Sequence, residues 1–160
     1  MTTIVIASDA PLVRADVAAA LGDPGTELIE VHTGFDVAPT VDEHEPDLVV
    51  VDMQMGNMGA MAVCMNLRLE ASWDNLPTVP VLILLDRRAD VFLARRAGAE
   101  GWVVKPLDPL RLRRAASALI DGGTYHDDSL QPVPSFIAAD TPAASTSDAA
   151  TGASTAPGGA

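Results

Sequence analysis

The chain has 160 residues, 48% of them hydrophobic and only 4% aromatic, which allows one domain with an aliphatic core. Its net charge of −12, with no basic stripe, argues against nucleic acid as a partner and mainly promotes solubility. No apolar run is long enough to span a bilayer and no N-terminal signal pattern is present, so a cytoplasmic protein without membrane insertion is expected; a single cysteine, Cys64, excludes an internal disulfide and a cysteine-cluster metal site.

The first 122 residues alternate short apolar runs with helical patterns. Residues 4–7 (IVIA) read as a strand, and Pro11 to Leu21 as a helix with proline in its tolerant first turn. Residues 27–31 (ELIEV) read as a second strand whose polar alternation suggests a sheet edge. A helix disturbed by Pro39 follows over residues 34–44. Residues 48–51, within DLVVVD, form an apolar run that reads as a strand buried on both faces, with Asp52 where it leaves the core. A helix over 60–70, a strand over 79–85, a helix over 89–97 and a strand over 101–104 come next. Asp108 then caps a helix from Pro109 to Ile120. Alternating strands and helices predict a doubly wound parallel sheet with helices on both faces.

Composition changes near Gly122. Residues 123–160 are rich in Ala, Ser, Thr, Pro and Gly, contain no Lys or Arg, and read as a disordered C-terminal tail. Within it, LQPVPSFI offers Leu130, Val133, Phe136 and Ile137 as an extended docking segment. His32, His44 and His126 show no ligand spacing and read as surface residues. Met61 and Met65 are spaced as ordinary helix core.

In a parallel sheet every strand ends at one rim, and open α/β sheets put their chemistry there. Asp9, Asp52 and Lys105, the only lysine, arrive at that rim after the first, third and fifth strands. Two neighbouring carboxylates repel unless a cation intervenes, and Mg²⁺ suits carboxylates, a backbone carbonyl and waters. An ammonium on the other side leaves Asp52 ready to accept a phosphoryl group. No glycine-rich phosphate loop, GxGxxG, nucleophile elbow or HExxH accompanies them, so an enzyme with its own substrate is not expected.

With IASDAP after the first strand, DLVVVDMQM at the third and GAEGWVVKPLDP at the fifth, the chain resembles the receiver domain of two-component response regulators, the CheY-like family. The resemblance spans about residues 3 to 121. It implies a flavodoxin-like, five-stranded sheet in the order 2-1-3-4-5 with five helices, and a Lys105–Pro106 peptide that is often cis. It implies Asp52 as phosphoacceptor, with Asp9, Asp52 and the main-chain carbonyl of Gln54 as Mg²⁺ ligands. Lys105 would bind the phosphoryl oxygens, and a histidine kinase would donate the group. Trp102 stands where the family has the Tyr or Phe that swings inward on activation. The family's fourth helix, fifth strand and fifth helix form its partner surface, which here would carry Arg87, Arg88, Arg95 and Arg96, with Arg111, Arg113 and Arg114 beside them.

Four departures bear on function. Ser8 replaces the first acid of the pair, which should weaken Mg²⁺. Leu85 replaces the hydroxyl residue that closes the fourth strand, removing half of the family's switch. Asp86 adds a negative charge that could oppose a phosphoryl group. The loop MQMGNMGA lacks the family's proline near Gly56 and should be more flexible.

Two readings follow. One is a single-domain response regulator, phosphorylated on Asp52 and acting by docking, with no DNA-binding output domain. The other is a phosphorylation-independent pseudo-receiver, held in a larger assembly by its fourth- and fifth-helix face and its tail. The chain is also similar to orphan receivers on the peripheral arm of bacterial respiratory NADH:quinone oxidoreductase, which would place it at the inner membrane through a partner.

Overall fold

The computed structural model describes residues 1–128. Six strands form one sheet: β1 (Thr2–Ala7), β2 (Thr26–Val31), β3 (Leu48–Asp52), β4 (Val81–Leu85), β5 (Gly101–Val104) and β6 (Tyr125–His126). All neighbours are parallel, in the order β2-β1-β3-β4-β5-β6. The expected order of the first five strands and the edge position of β2 are both found. The expectation of five strands is corrected by β6.

Five helices link the strands: α1 (Pro11–Leu21), α2 (Val37–His44), α3 (Ala60–Ser72), α4 (Val91–Arg96) and α5 (Pro109–Ile120). Short 3-10 turns at Gly34–Asp36 and Arg88–Asp90 lead into α2 and α4. Pro39 falls in the first turn of α2, where its missing N–H would have no helical partner, so α2 stays regular. Asp108 caps α5 by accepting the Arg111 N–H at 2.9 Å.

Alternation along the buried strands sorts the core into two layers. Ile4, Ile6, Leu48, Val50, Leu82 and Leu84 pack on one face against α1 and α5 residues such as Val17, Leu21, Leu112 and Leu119. Val5, Val49, Val51, Ile83 and Leu85 pack on the other against Val37, Val41, Val63, Cys64 and Leu67 of α2 and α3. Every residue of β3 and β4 is buried, which fixes the end of β3 firmly. Each such side chain contributes about 1.5–3 kcal/mol.

The sixth strand comes from residues that composition assigns to the tail. Asp127 explains why it stays. Its carboxylate is buried, accepts the Val104 N–H at 3.0 Å and pairs with Arg111 at 2.6 Å. Gly101 permits the pairing, because a Cβ there would lie 2.9 Å from the Tyr125 carbonyl and from Leu119. His126 is exposed, as expected, and its ring also stacks on Trp102 at 4.0 Å. Leu130, Val133, Phe136 and Ile137 lie outside the described residues.

Candidate functional site

The carboxyl ends of β1, β3 and β5 bring Asp9, Asp52 and Lys105 to one rim, as their spacing predicts. Asp52 is 1% exposed, so its carboxylate needs donors, and three converge on it. Lys105 Nζ donates to Oδ1 at 2.7 Å and the Gln54 N–H to the same oxygen at 3.3 Å. The Ser8 hydroxyl donates to Oδ2 at 2.8 Å. Ser8 is itself fully buried and accepts the Ala10 N–H at 3.1 Å. The hydroxyl thus does more than replace an acid: it occupies one oxygen of Asp52.

Asp9 is exposed and accepts the Gly56 N–H at 2.8 Å, which ties the loop after β3 to the end of β1. Asp86, expected only to oppose a phosphoryl group, also bonds Lys105 Nζ at 3.0 Å. Lys105 therefore bridges two carboxylates. Burial pulls its ammonium down, but the hydrogen bonds to Asp52 and Asp86 outweigh that and hold its pKa above the ordinary lysine value. The Lys105–Pro106 peptide is cis.

Sequence reasoning missed Arg14. Its guanidinium is buried, donates to the Ser8 carbonyl at 2.7 Å and pairs with Glu30 at 3.0 Å. An arginine on the first turn of α1 in an otherwise apolar stretch was the available signal.

The ammonium of Lys105 pairs with Asp52 and Asp86, and among the described residues Asp9 is held only by the Gly56 N–H, so carboxylates outnumber the cation at the rim. That excess, with two carboxylates on adjacent strands, fits a divalent cation that keeps several waters. Among the described residues no three His, Cys, Asp or Glu side chains converge as a ready cage.

The two positions expected to serve a switch are packed. Leu85 is fully buried and offers no donor, and Trp102 is 2% exposed. Trp102 is held between the stacked His126 ring and the Arg95 guanidinium, 5.3 Å from its centroid.

The expected arginine surface is only partly one surface. Arg87 pairs with Asp90 at 3.1 Å. Arg88 is half-buried, with Nη1 lacking a hydrogen-bond partner among the described residues. Arg95 and Arg96 are exposed on α4. Arg113 turns away from α4, donating to the Ala20 carbonyl of α1 at 2.6 Å.

A parallel α/β sheet with an aspartate–lysine pair at the ends of its third and fifth strands defines a receiver-type signalling domain. Residues 4–117 match the family model described as the response regulator receiver domain, and the chain belongs to that family, CheY-like regulators of two-component systems. Proteins of this family are signalling proteins rather than catalysts, and their acidic pockets generally bind Mg²⁺. Protein PilH of Pseudomonas aeruginosa is 24% identical over 122 residues, covering 76% of this chain and all of that protein. The transcriptional regulatory protein PdtaR of Mycobacterium tuberculosis is 31% identical over 104 residues, 64% of this chain but 49% of its own length. The chain thus spans about half the length of regulators such as PdtaR. Among solved structures, chemotaxis protein CheY4 of Vibrio cholerae superposes with a TM-score of 0.64 at 22% identity, covering 73% of this chain and 97% of that one. A LuxR-family response regulator from Aurantimonas sp. SI85-9A1 gives 0.69 at 25% identity, over 81% and 92%. No helix of the described residues is long and apolar enough to cross a membrane.

Proposed function

We propose that the chain is a response regulator that accepts a phosphoryl group on Asp52 and acts by docking a protein partner on its α4 side. The observation that carries this reading is the 2.7 Å contact between Lys105 Nζ and Asp52 Oδ1 at the buried end of β3. An Asp52 oxygen attacks the phosphorus of a kinase phosphohistidine. The O–P bond forms, the P–N bond breaks, and the departing imidazole takes up a proton. Oδ2 accepts the Ser8 hydroxyl and keeps a second lone pair, so that hydrogen bond lowers its nucleophilicity without blocking attack. Lys105 can follow the new phosphoryl oxygens by exchanging Asp86 for them, since its three N–H groups rotate freely. Asp9, Asp52 and the Gln54 carbonyl would hold Mg²⁺. When bound, it supplies charge neutralisation at the phosphoryl oxygens.

The packing around Trp102 favours a second reading, in which the fold docks its partner without answering phosphorylation. Leu85 cannot bond a phosphoryl group, and the Arg95–Trp102–His126 stack opposes an aromatic swing. The relatives reported above give no support to respiratory NADH:quinone oxidoreductase as the partner, so the partner is described by its chemistry alone.

Fluorescence titration separates the two readings. In Trp73→Phe, which removes the exposed indole, Trp102 reports on the core beside the rim. Saturable change with Mg²⁺ and beryllofluoride, lost in Asp52→Asn, supports a pocket that engages a phosphoryl group and transmits it. Binding by calorimetry with silent fluorescence supports acceptance without the aromatic switch. Absence of binding by either method sinks the proposal for Asp52.

A further inference from the structure

Residues Met65, Leu69 and Trp73 follow one another at four-residue spacing along α3 and its C-cap, and all point to solvent. They are 56%, 48% and 63% exposed. The stripe runs about 12 Å, two turns and more of one helix face. Its lower edge opens into a groove of about 430 Å³ lined by Met65, Asn66, Arg68, Leu69 and Ala97, the last just past α4. Phe92 adds a fourth large apolar side chain, 65% exposed, on the solvent face of α4. Scattered exposed apolar residues are ordinary on a protein surface, but a helical row beside a groove marks an interaction face.

Charge selects the occupant. The groove wall is electrically closed, because Arg68 spends its guanidinium on Glu100 and on the Val79 carbonyl. The α4 rim is not. Asp90 and Asp86 are paired with Arg87 and Lys105, so Arg88, Arg95 and Arg96 have no carboxylate partner among the described residues. Ala97 lines the groove while Arg95 lies over Trp102 on the opposite flank. At about 100° per residue Arg96 stands midway, one such step from Arg95 and one from the groove-lining Ala97, on the exposed edge of α4 between them, whereas Phe92 lies nearer Arg95. In a chain of net charge −12, this is a cationic edge beside an apolar floor. The local arginines, not the net charge, select an acidic contact segment over a basic one.

We infer that the α3–α4 groove binds an acidic amphipathic helix of a partner protein, with apolar residues at i, i+4 and i+7 on Met65, Leu69 and Trp73 and carboxylates on Arg96. It rests on the α4 docking reading above and extends the contact surface onto α3. Helix-in-groove recognition uses such anchors, and the charge fixes its direction and on-rate.

The probe is a labelled synthetic peptide of about four helical turns, leucine at every third or fourth position and glutamate elsewhere, followed by anisotropy against the full-length chain. Saturable binding is expected, weakened at least about tenfold by Leu69→Glu and by Arg96→Glu, and unchanged in Glu27→Gln, an exposed position on the edge strand β2. The substituted positions are exposed, and an unaltered urea midpoint checks that the fold is intact. Loss with Arg96→Glu but not with Leu69→Glu keeps the α4 surface and overturns the α3 extension. Equal binding of the lysine version of the peptide overturns the charge argument. A dimer in sedimentation velocity that Leu69→Glu abolishes overturns the choice of occupant in favour of a second copy.

Discussion

Asp52 is reached by a hydroxyl, a backbone N–H and an ammonium, and each of these donors has its own fate at the rim. Replacing Ser8 by Asp adds a carboxylate where a hydroxyl now donates to one oxygen. Mg²⁺ affinity of Ser8→Asp should rise by about tenfold or more, read by calorimetry; an unchanged affinity would mean that the hydroxyl does not limit the site. Lys105 gives a pH signature. Its pKa is raised in the fold, so its pairing with Asp52 and Asp86 stabilises fully below the ordinary lysine value and fades as pH rises through the higher folded value. Urea midpoints of the parent should therefore decline through the alkaline range more steeply than those of Lys105→Met, and parallel curves would contradict the pairing. Asp9, Asp52 and Lys105 were legible in sequence because each closes an apolar strand. The Lys105–Asp86 bond was not. Adjacency at the end of β4 suggested only repulsion, and the side-chain direction that brings Asp86 to the ammonium is a property of the packed rim.

At the scale of elements, β6 is the departure from what the sequence conveys. A two-residue strand between GGT and Asp127 carries too little periodicity to register. Its anchor is a buried carboxylate on the far side of α5 in the chain, paired with Arg111 and bonded to Val104. Asp127→Ala leaves the Val104 N–H and part of the Arg111 guanidinium without that carboxylate. It should cost about 3 kcal/mol, read as a lowered urea midpoint with the slope unchanged. A loss under about 0.5 kcal/mol would mean that β6 is ornamental to stability. The same contacts place His126 against Trp102, so a tail residue restrains the aromatic at the end of β5. Helix α3 teaches a related lesson. Met65 keeps helical spacing with Met61, which reads as core, yet it belongs to the outward row with Leu69 and Trp73. Periodicity identifies an amphipathic helix, whereas two apolar stripes on one helix require the packing partners to tell them apart.

For the molecule as a whole, the sheet and its two apolar layers were legible because β3 and β4 are continuous aliphatic runs and the helices between them are regular. Burial also quiets the one thiol. It pushes Cys64 up to about 11, against a lowering by Arg68, so the thiol should resist alkylation near neutral pH until urea unfolds the chain. Charge is arranged less evenly than the total suggests. The rim carries excess negative charge, and α4 carries arginines without carboxylate partners among the described residues. Those two features support the proposed phosphoryl chemistry at one end of the sheet and the proposed partner contact on one side of it. The most direct test is intact-mass spectrometry of the full-length chain after incubation with Mg²⁺ and acetyl phosphate, with Asp52→Asn in parallel. One phosphoryl group, labile to hydroxylamine and absent from Asp52→Asn, is the predicted result. An unmodified parent chain, or equal modification of the Asn variant, would contradict the account.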